Sequence, residues 1–552
     1  MAQQTHHPAA PSRADTGTPR SAWSALRYPV FRLLWIATVV SNIGSWMYNA
    51  ACGWLMTSLN PDPFVVSLVQ VANSLPLFLF ALPAGALADT TDKRRLILTL
   101  EILTSVFSAL FALLVALKAV TPPVLLLFSF LIAVLAAIET PAWQAIVPLL
   151  VPQSALSSAV ATNSVGVNIS RVLGPALAGV VILASGLAAP FWLDAVSNLG
   201  VIGVIFRWRP PASGPHPLPA ERLASAVRTG LRYARHNRRL RATLLRSVGF
   251  FLFASAYWAL LPVLARTQLR GGPTLYGTLL GAIGAGAVAG AFLLPRARVR
   301  FGADRAVILG EAGSCAALLL FALAHQPWLA LLACLLAGVS WIIVLATLNV
   351  SAQAALPEWV RGRGLAVYVT VFFGTMSVGS ALWGWVAGRS GLPAAHMIAA
   401  ASALVALVAT RRWKLHSGPA ADLTPSMHWP EPVLAGPVAG DAGPVLVTVE
   451  YTVAEADRSA FLAAMAPLAR ERRRDGAYDW QIFRDVARPE KMLETFLLDS
   501  WLEHLRQHRR VTNADRVLQE RLNRLTREAP RVTHYVAAQA EQPPEPPATP
   551  DR

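Results

Sequence analysis

Apolar runs of about twenty residues recur along most of this chain, and a helix of that length rises about 30 Å, the thickness of a bilayer's hydrocarbon core. Twelve runs stand between short Gly, Pro or Arg breaks, near residues 30–57, 63–88, 96–119, 122–148, 158–185, 188–206, 243–266, 273–294, 304–324, 327–351, 364–388 and 392–410. No water-soluble core needs so many, so the predicted solvent is a membrane. Of the 552 residues, 54% are hydrophobic and 14% charged, against roughly a quarter charged in soluble domains.

A formal charge of +17 raises the question of nucleic acid, and the placement of the cations answers it. They alternate by connection. Lys93, Arg94 and Arg95 fill one, the stretch from Arg207 to Arg246 another, then Arg296, Arg298, Arg300 and Arg305, then Arg361 and Arg363, and last Arg411, Arg412 and Lys414. The opposite connections hold only Lys118, Arg266, Arg270 and Arg389. The positive-inside rule then predicts both termini in the cytoplasm, a lipid bilayer as partner and no nucleic acid. Residues Met1 to Arg20 are polar and show no apolar stretch followed by a cleavage site, so no signal peptide is expected there. Cys52, Cys315 and Cys334 fall inside apolar runs without ligand or disulfide spacing and read as packing residues.

The runs divide six and six around residues 210–241, which turn basic and helix-compatible from Glu221 and read as a connector lying on anionic headgroups. The halves repeat in parallel. QAxxPxxV occurs at residues 144–151 and 353–360, Arg95 precedes Glu101 as Arg305 precedes Glu311, and GxALxG occurs at residues 174–179 and 379–384. Parallel six-helix repeats suit an alternating-access carrier with its site near the midplane.

Residues 85–95, GALADTTDKRR, resemble the GxLaDrxGrkxx signature of the major facilitator superfamily, with Gly85, Asp89, Lys93 and Arg94 matching and Thr90 and Asp92 departing. Residues 168–179 (NISRVLGPALAG) and 357–368 (PEWVRGRGLAVY) are similar to the branch that includes enterobactin exporters and related bacterial efflux proteins. The resemblance implies a bacterial inner-membrane exporter. It also implies a conformational latch at Gly85, Asp89, Lys93 and Arg94, to which Glu101 and Glu311 are added from their place just inside the cytoplasmic ends. Gly174, Pro175 and Gly179 form a GPxxxG element like that of the superfamily's antiporters, where a Pro and two glycines kink one helix and seat its neighbour.

Ionisable groups inside the apolar phase are costly and mark function. Counting inward at 1.5 Å per residue places Glu139 roughly 14 Å and Arg171 roughly 20 Å deep, so the two are predicted to pair, either as a structural ion pair or as carriers of proton coupling, with Asp194 next. The candidate substrate-facing side chains are Asn42, Trp46, Asn49, Trp143, Tyr257, Trp258, Trp341 and Asn349, on the first, fourth, seventh and tenth spans that line the cavity in the resembled family. Such aromatic residues suit an amphipathic or aromatic small molecule.

Beyond a Pro/Gly/Ala-rich linker, strands are predicted at residues 445–453, 478–486, 491–500 and 531–539, with helices at 454–473 and, broken, at 501–528. That βαββαβ order suggests a ferredoxin-like fold. Residues 501–512 (WLEHLRQHRRVT) are similar to the tails of some exporters of this branch, and the segment more distantly resembles antibiotic-biosynthesis monooxygenases, which implies self-association. His504 and His508 share a helical face but lack carboxylate or Cys partners at ligand spacing, so they read as surface or packing residues, and no metal, cofactor or catalytic residue is expected.

The predicted fold class is therefore an all-α membrane protein of twelve transmembrane helices in two parallel six-helix halves, with a small α+β cytoplasmic domain. Its organisation is a cytoplasmic tail (1–27), a first half (28–208), a connector (209–241), a second half (242–414), a linker (415–443), the ferredoxin-like domain (444–540) and a disordered end (541–552). No nucleotide-binding motif is present, so a gradient is expected to drive transport, and the resemblance implies export of a small organic molecule by proton antiport. The alternatives are a carrier fused to a cargo-modifying enzyme domain and a non-transporting sensor or scaffold.

Overall fold

The computed structural model describes residues 23–209, 223–415 and, apart from 425, 427–428, 430–433 and 435, residues 422–538. The readings made for residues 1–22, 210–222, 416–421 and 539–552, and for the side chain of Asp89, lie outside these. The helices are α1 (Pro29–Leu59), α2 (Pro63–Thr90), α3 (Lys93–Ala116), α4 (Pro122–Leu150), α5 (Leu156–Ser185), α6 (Ala189–Arg207), α7 (Leu223–His236), α8 (Arg238–Val263), α9 (Pro273–Leu323), α10 (Pro327–Ala354), α11 (Arg361–Ser390) and α12 (Leu392–Thr410).

Among the described residues eleven helices are long and apolar enough to cross a membrane. Their boundaries follow local chemistry. Proline in the first turn starts α4, α6, α9, α10 and α12, where its missing N–H costs nothing and its fixed φ suits a helix. Gly186 (φ 85°) ends α5 and Gly391 (φ 81°) ends α11, since the left-handed conformation carries no Cβ penalty at glycine. The repeat in sequence reappears in length: α5 and α11 are each 30 residues and α6 and α12 each 19. Large apolar side chains such as Leu183, Phe206 and Phe292 are at least 66% exposed on these helices, which suits a lipid surface and not water.

The eleven spans arise where twelve were predicted because α9 runs for 51 residues through both the 273–294 and 304–324 segments. A straight helix of that length would measure about 75 Å, more than two hydrocarbon thicknesses. Gly302, at φ 76° and ψ 168°, breaks its helical geometry midway.

The chain divides into two compact units whose membership crosses the sequence halves. The first holds Met1–Leu55, Leu87–Pro215 and Pro273–Gly281, so the opening turns of α9 join α1 and α3–α6. Within it α5 is the close-packed helix. A Cβ at Gly166 would lie 2.7 Å from Val39 and 2.9 Å from Trp35, and one at Gly174 would overlap Trp46, all on α1. On its other side a Cβ at Gly179 would lie 2.7 Å from the Pro273 carbonyl oxygen, and one at Gly277 2.6 Å from that of Pro175. Small residues let the backbones meet this closely.

The second unit holds Met56–Ala86, His216–Gly272 and Ala282–Arg552. Here α2 lies on α11, with Gly374 facing the Phe78 ring and the Ser74 and Ser377 hydroxyls hydrogen-bonded at 2.7 Å. Helix α7 packs on the turn before α11. Its Tyr233 is fully buried, donates from its hydroxyl to the Ala355 carbonyl at 3.2 Å, and meets Trp359 edge to face at 5.7 Å. An amphipathic face buries wherever apolar area is offered, and the turn before α11 offers it.

The same unit ends in a sheet domain: β1 (Val445–Thr452), α13 (Arg458–Arg474), β2 (Tyr478–Arg484), β3 (Lys491–Leu498), α14 (Trp501–Arg510), α15 (Asn513–Asn523) and β4 (Arg531–Val536). Strand order is β2-β3-β1-β4 with every pairing antiparallel. Val445, Val447, Val449 and Tyr451 alternate inward from β1 onto Phe461, Met465 and Phe496, the period-2 burial of a one-faced sheet. The predicted broken helix at 501–528 separates into α14 and α15 because Thr512 and Asp515 form a capping box that starts a new helix.

Gly302→Ala should destabilise the protein by about 1 kcal/mol, because an L side chain is strained at positive φ. Gly85→Ala should be close to neutral, since a Cβ there meets nothing within 4 Å among the described residues. Thermal unfolding of both variants in detergent checks the contrast.

Candidate functional site

In the first unit the buried polar groups gather where α1, α3, α4 and α6 meet. Asp194 on α6, 1% exposed, accepts from the Ser45 hydroxyl at 3.1 Å and the Ser108 hydroxyl at 2.6 Å. One turn on, Asn198 accepts from Ser41 at 2.6 Å. Glu101 on α3 lies within electrostatic range of Glu139 on α4 and of Asp194. Among the described residues no ion pair reaches any of these three carboxyls, so like groups face one another in an apolar helix bundle.

The predicted ion pair between Glu139 and Arg171 is therefore not formed. Helix α4 turns Glu139 toward α3, while α5 turns Arg171 toward α1, where its guanidinium stands 5.5 Å from the Trp46 ring centre and its Nε is buried without a hydrogen-bond partner. Similar depth is a poor guide because it says nothing about helix face. Glu101, expected in the latch, is instead the partner of Glu139.

The remaining latch residues separate. Arg94 donates from Nε and Nη2 to the Ile205 and Phe206 carbonyls at 3.1 and 2.5 Å, tying the C-terminus of α6. Lys93 opens α3, and Asp92, at the position where it departs from the signature, N-caps that helix by accepting from the Arg95 backbone N–H at 2.9 Å. Gly85 makes no close approach among the described residues. In the second unit Glu311 does form an ion pair. Arg246, fully buried on α8, reaches Glu311 at 3.4 Å and Asp304 at 3.5 Å, both on α9. Loop charge counting reads Arg246 only as a topology residue and passes over Asp304, although an Arg within an apolar run is the available signal.

Of the candidate cavity residues, the second unit brings Tyr257, Trp258 and Trp341 together. Trp258 and Trp341 meet at 5.4 Å and Tyr257 and Trp258 at 6.3 Å, with Phe251 and Phe372 against Trp341. Asn349 lies two turns beyond Trp341, exposed, and accepts from Gln353. In the first unit Asn42 is half-buried, Asn49 is exposed and donates to the Ser45 carbonyl at 2.9 Å, and Trp143 packs on the apolar cluster around Ile97 and Ile146.

The sheet domain carries its own buried polar groups. Glu494, fully buried, accepts from Tyr451 and Trp480 at 2.8 Å and from Arg472 at 3.3 Å. Arg474 chelates Asp475 with two bonds of 2.8 Å, reaches Asp515 at 2.8 Å, and lies over the Tyr233 ring of α7 at 5.7 Å. Arg510 stands over the Trp359 ring at 4.7 Å. Two cation–π contacts thus tie this domain to the membrane helices' cytoplasm-expected turns. Arg235, His236, Arg238 and Arg241 join Arg470 of the domain around a cationic recess of about 410 Å³. Burial, with the nearby Asp515 charge, pushes Glu471 up to about 9. His534 on β4 stands beside His504 and His508, a third imidazole that sequence spacing does not connect to them. Burial, with the two neighbouring imidazoles, pushes His504 down to about 3.

Comparisons with known proteins agree with a transporter of this architecture. The described chain resembles the solved structure of a mutant of the nucleoside transporter NupG at 11% identity and a TM-score of 0.58, over 70% of this chain and 99% of that one, which shows the fold. Residues 20–542 match the family described as transmembrane secretion effector, and the chain belongs to that family of MFS-type, multi-pass membrane transporters. It is 25% identical to the staphyloferrin A transporter of Staphylococcus aureus (strain NCTC 8325 / PS 47) over 260 residues, which is 46% of this chain and 64% of that protein. It is also 25% identical to the multidrug efflux pump Tap of Mycolicibacterium fortuitum over 375 residues, 66% of this chain and 90% of that protein. The chain thus spans a little under two thirds of the first of these relatives.

Arg246→Ala should destabilise the protein by about 3–5 kcal/mol, because it strands Glu311 with no cation, whereas Arg246→Ala with Glu311→Gln should recover part of that loss in thermal unfolding. A second expectation concerns pH. Glu471 takes its proton far more readily folded than unfolded, so the stability it contributes is full below about pH 4.5 and falls as pH rises toward about 9. Amide exchange over residues 445–536 should be slower at pH 6 than at pH 8 after correction for intrinsic rates, and Glu471→Gln should flatten that difference.

Proposed function

We propose that this chain is a secondary active exporter of a small organic molecule in the bacterial inner membrane, driven by proton antiport. In this reading twelve spans form two parallel six-helix halves that alternate access, Gly302 dividing α9 into its two spans, and both termini are cytoplasmic. The sheet domain is ferredoxin-like, and the transport core belongs to the enterobactin-exporter-like branch. Efflux relatives and the aromatic residues Trp46, Trp143, Tyr257, Trp258 and Trp341, with Asn42, Asn49 and Asn349, support an amphipathic or aromatic cargo.

The observation that carries the proton is that Glu101 and Glu139 interact with each other and, among the described residues, with no cation. Two neighbouring carboxyls in apolar surroundings favour a proton on one of them, because a second negative charge there is costly. Rocking of the helices that parts them, or brings water or Arg171 to Glu139, releases that proton. Asp194, held by two hydroxyls, stands by as a further acceptor. Differential binding of the proton by the two conformations is what couples the gradient to the cargo. Gly174, Pro175 and Gly179 keep α5 tight against its neighbours and limit leakage while this happens.

The test is flux in proteoliposomes under an imposed pH gradient, across a panel of amphipathic aromatic compounds, beside binding by purified protein. Glu139→Gln should cut pH-driven flux by about tenfold or more, about 1.4 kcal/mol or more in barrier terms, and leave cargo binding intact. Normal proton-coupled transport by that variant would move the coupling site elsewhere, with Asp194 next.

A further inference from the structure

We propose that His504, His508 and His534 form a three-histidine site for a divalent first-row transition-metal ion, of the zinc, nickel or copper class, in the sheet domain. One ring nitrogen from each residue lies within 4.8 Å of the other two. Ligand nitrogens around a tetrahedral ion at about 2.0–2.1 Å stand roughly 3.3 Å apart, so modest rotations of the side chains bring the three to bonding distance.

The scaffold presents these residues from two fixed elements. His504 and His508 are one helical turn apart on α14, so they share a face. His534 sits on β4, held in register opposite Val447 of β1. The ring centres are 4.7 Å apart for His504 and His508 and 4.5 Å for His504 and His534. His504 is thus the central ligand.

The independent sign of a missing ligand is on His504 itself. It is 2% exposed, and neither ring nitrogen has a hydrogen-bond partner. A buried imidazole that bonds nothing is costly to keep. A metal ion on one nitrogen removes that cost. His508 and His534 are half-buried, which leaves a route for the ion and an open position for water.

The donor set decides the class of ion. Three imidazoles with no carboxylate select zinc, copper or nickel over the oxygen-seeking magnesium and calcium. Trp501 walls His504 and His534 at 5.1 and 6.1 Å, and Trp429 stands edge-on to His508 at 5.3 Å, an apolar shell that strengthens metal–ligand bonds. The nearby cation Arg472 is paired with Glu494 at 3.3 Å, which limits its repulsion of an incoming ion.

The experiment uses the full chain in detergent, purified on a non-histidine tag, stripped with chelator and titrated with Co²⁺ and then Zn²⁺. The expected result is one Co²⁺ per chain with the intense visible absorption of a low-coordinate nitrogen site, displaced by Zn²⁺ and not by Mg²⁺ or Ca²⁺. His534→Ala and His508→Ala should each weaken binding at least about tenfold while circular dichroism stays unchanged. Because His508 is half-buried, its variant remains informative if the others unfold. Binding that survives in the His508→Ala and His534→Ala double variant, for instance through His6 and His7, overturns the proposal, as does the absence of stoichiometric binding in the parent protein.

Discussion

Burying a charged side chain among apolar helices is costly, and the two repeats of this chain give their buried carboxyls different partners. Glu311 has Arg246 on a neighbouring helix. Its counterpart in the repeat, Glu101, has a second carboxyl, Glu139. The first arrangement is static as long as the pair holds, because separating it strands charge in low dielectric. The second sets two like groups together, where a second negative charge is costly. An approximate internal repeat has in this way produced two different pairings from one motif, in which the Arg preceding the Glu is kept in both copies while the Glu's partner on the facing helix differs.

Helix α5 abuts α1 through Gly166 and Gly174 and the opening of α9 through Gly179. Glycine at these contacts lets backbones approach where larger side chains would hold them apart. The prolines within α2, α4 and α5 supply places for such helices to bend.

The sheet domain is tied to the transport core by arginines over aromatic rings, Arg474 on Tyr233 and Arg510 on Trp359. Arg510 is the last residue of α14, the helix that also carries His504 and His508. Ordering that helix therefore acts directly on a contact with the turn before α11. The domain's own core is conventional, a one-faced antiparallel sheet under α13, and its buried charges are paired around Glu494 and Arg474.

What the sequence by itself determined is local. Apolar length placed the membrane helices, prolines and glycines marked their ends, and period-2 alternation placed the four strands of the tail within a few residues, because each signal lies within one element. The repeat of α5 in α11 was equally legible from GxALxG. Only the tertiary structure decided which buried groups meet. Glu139 was readable as a charge in the membrane, but whether it faced Arg171 or Glu101 depends on the rotation of α4 about its axis, which apolar residues on every side of a membrane helix do not encode. The same holds for Arg246 with Glu311, 65 residues apart, and for His534, which reaches His504 only because β4 pairs beside β1. Pairings of that range are set by packing between elements, and packing is written in shape complementarity that no single stretch of sequence contains.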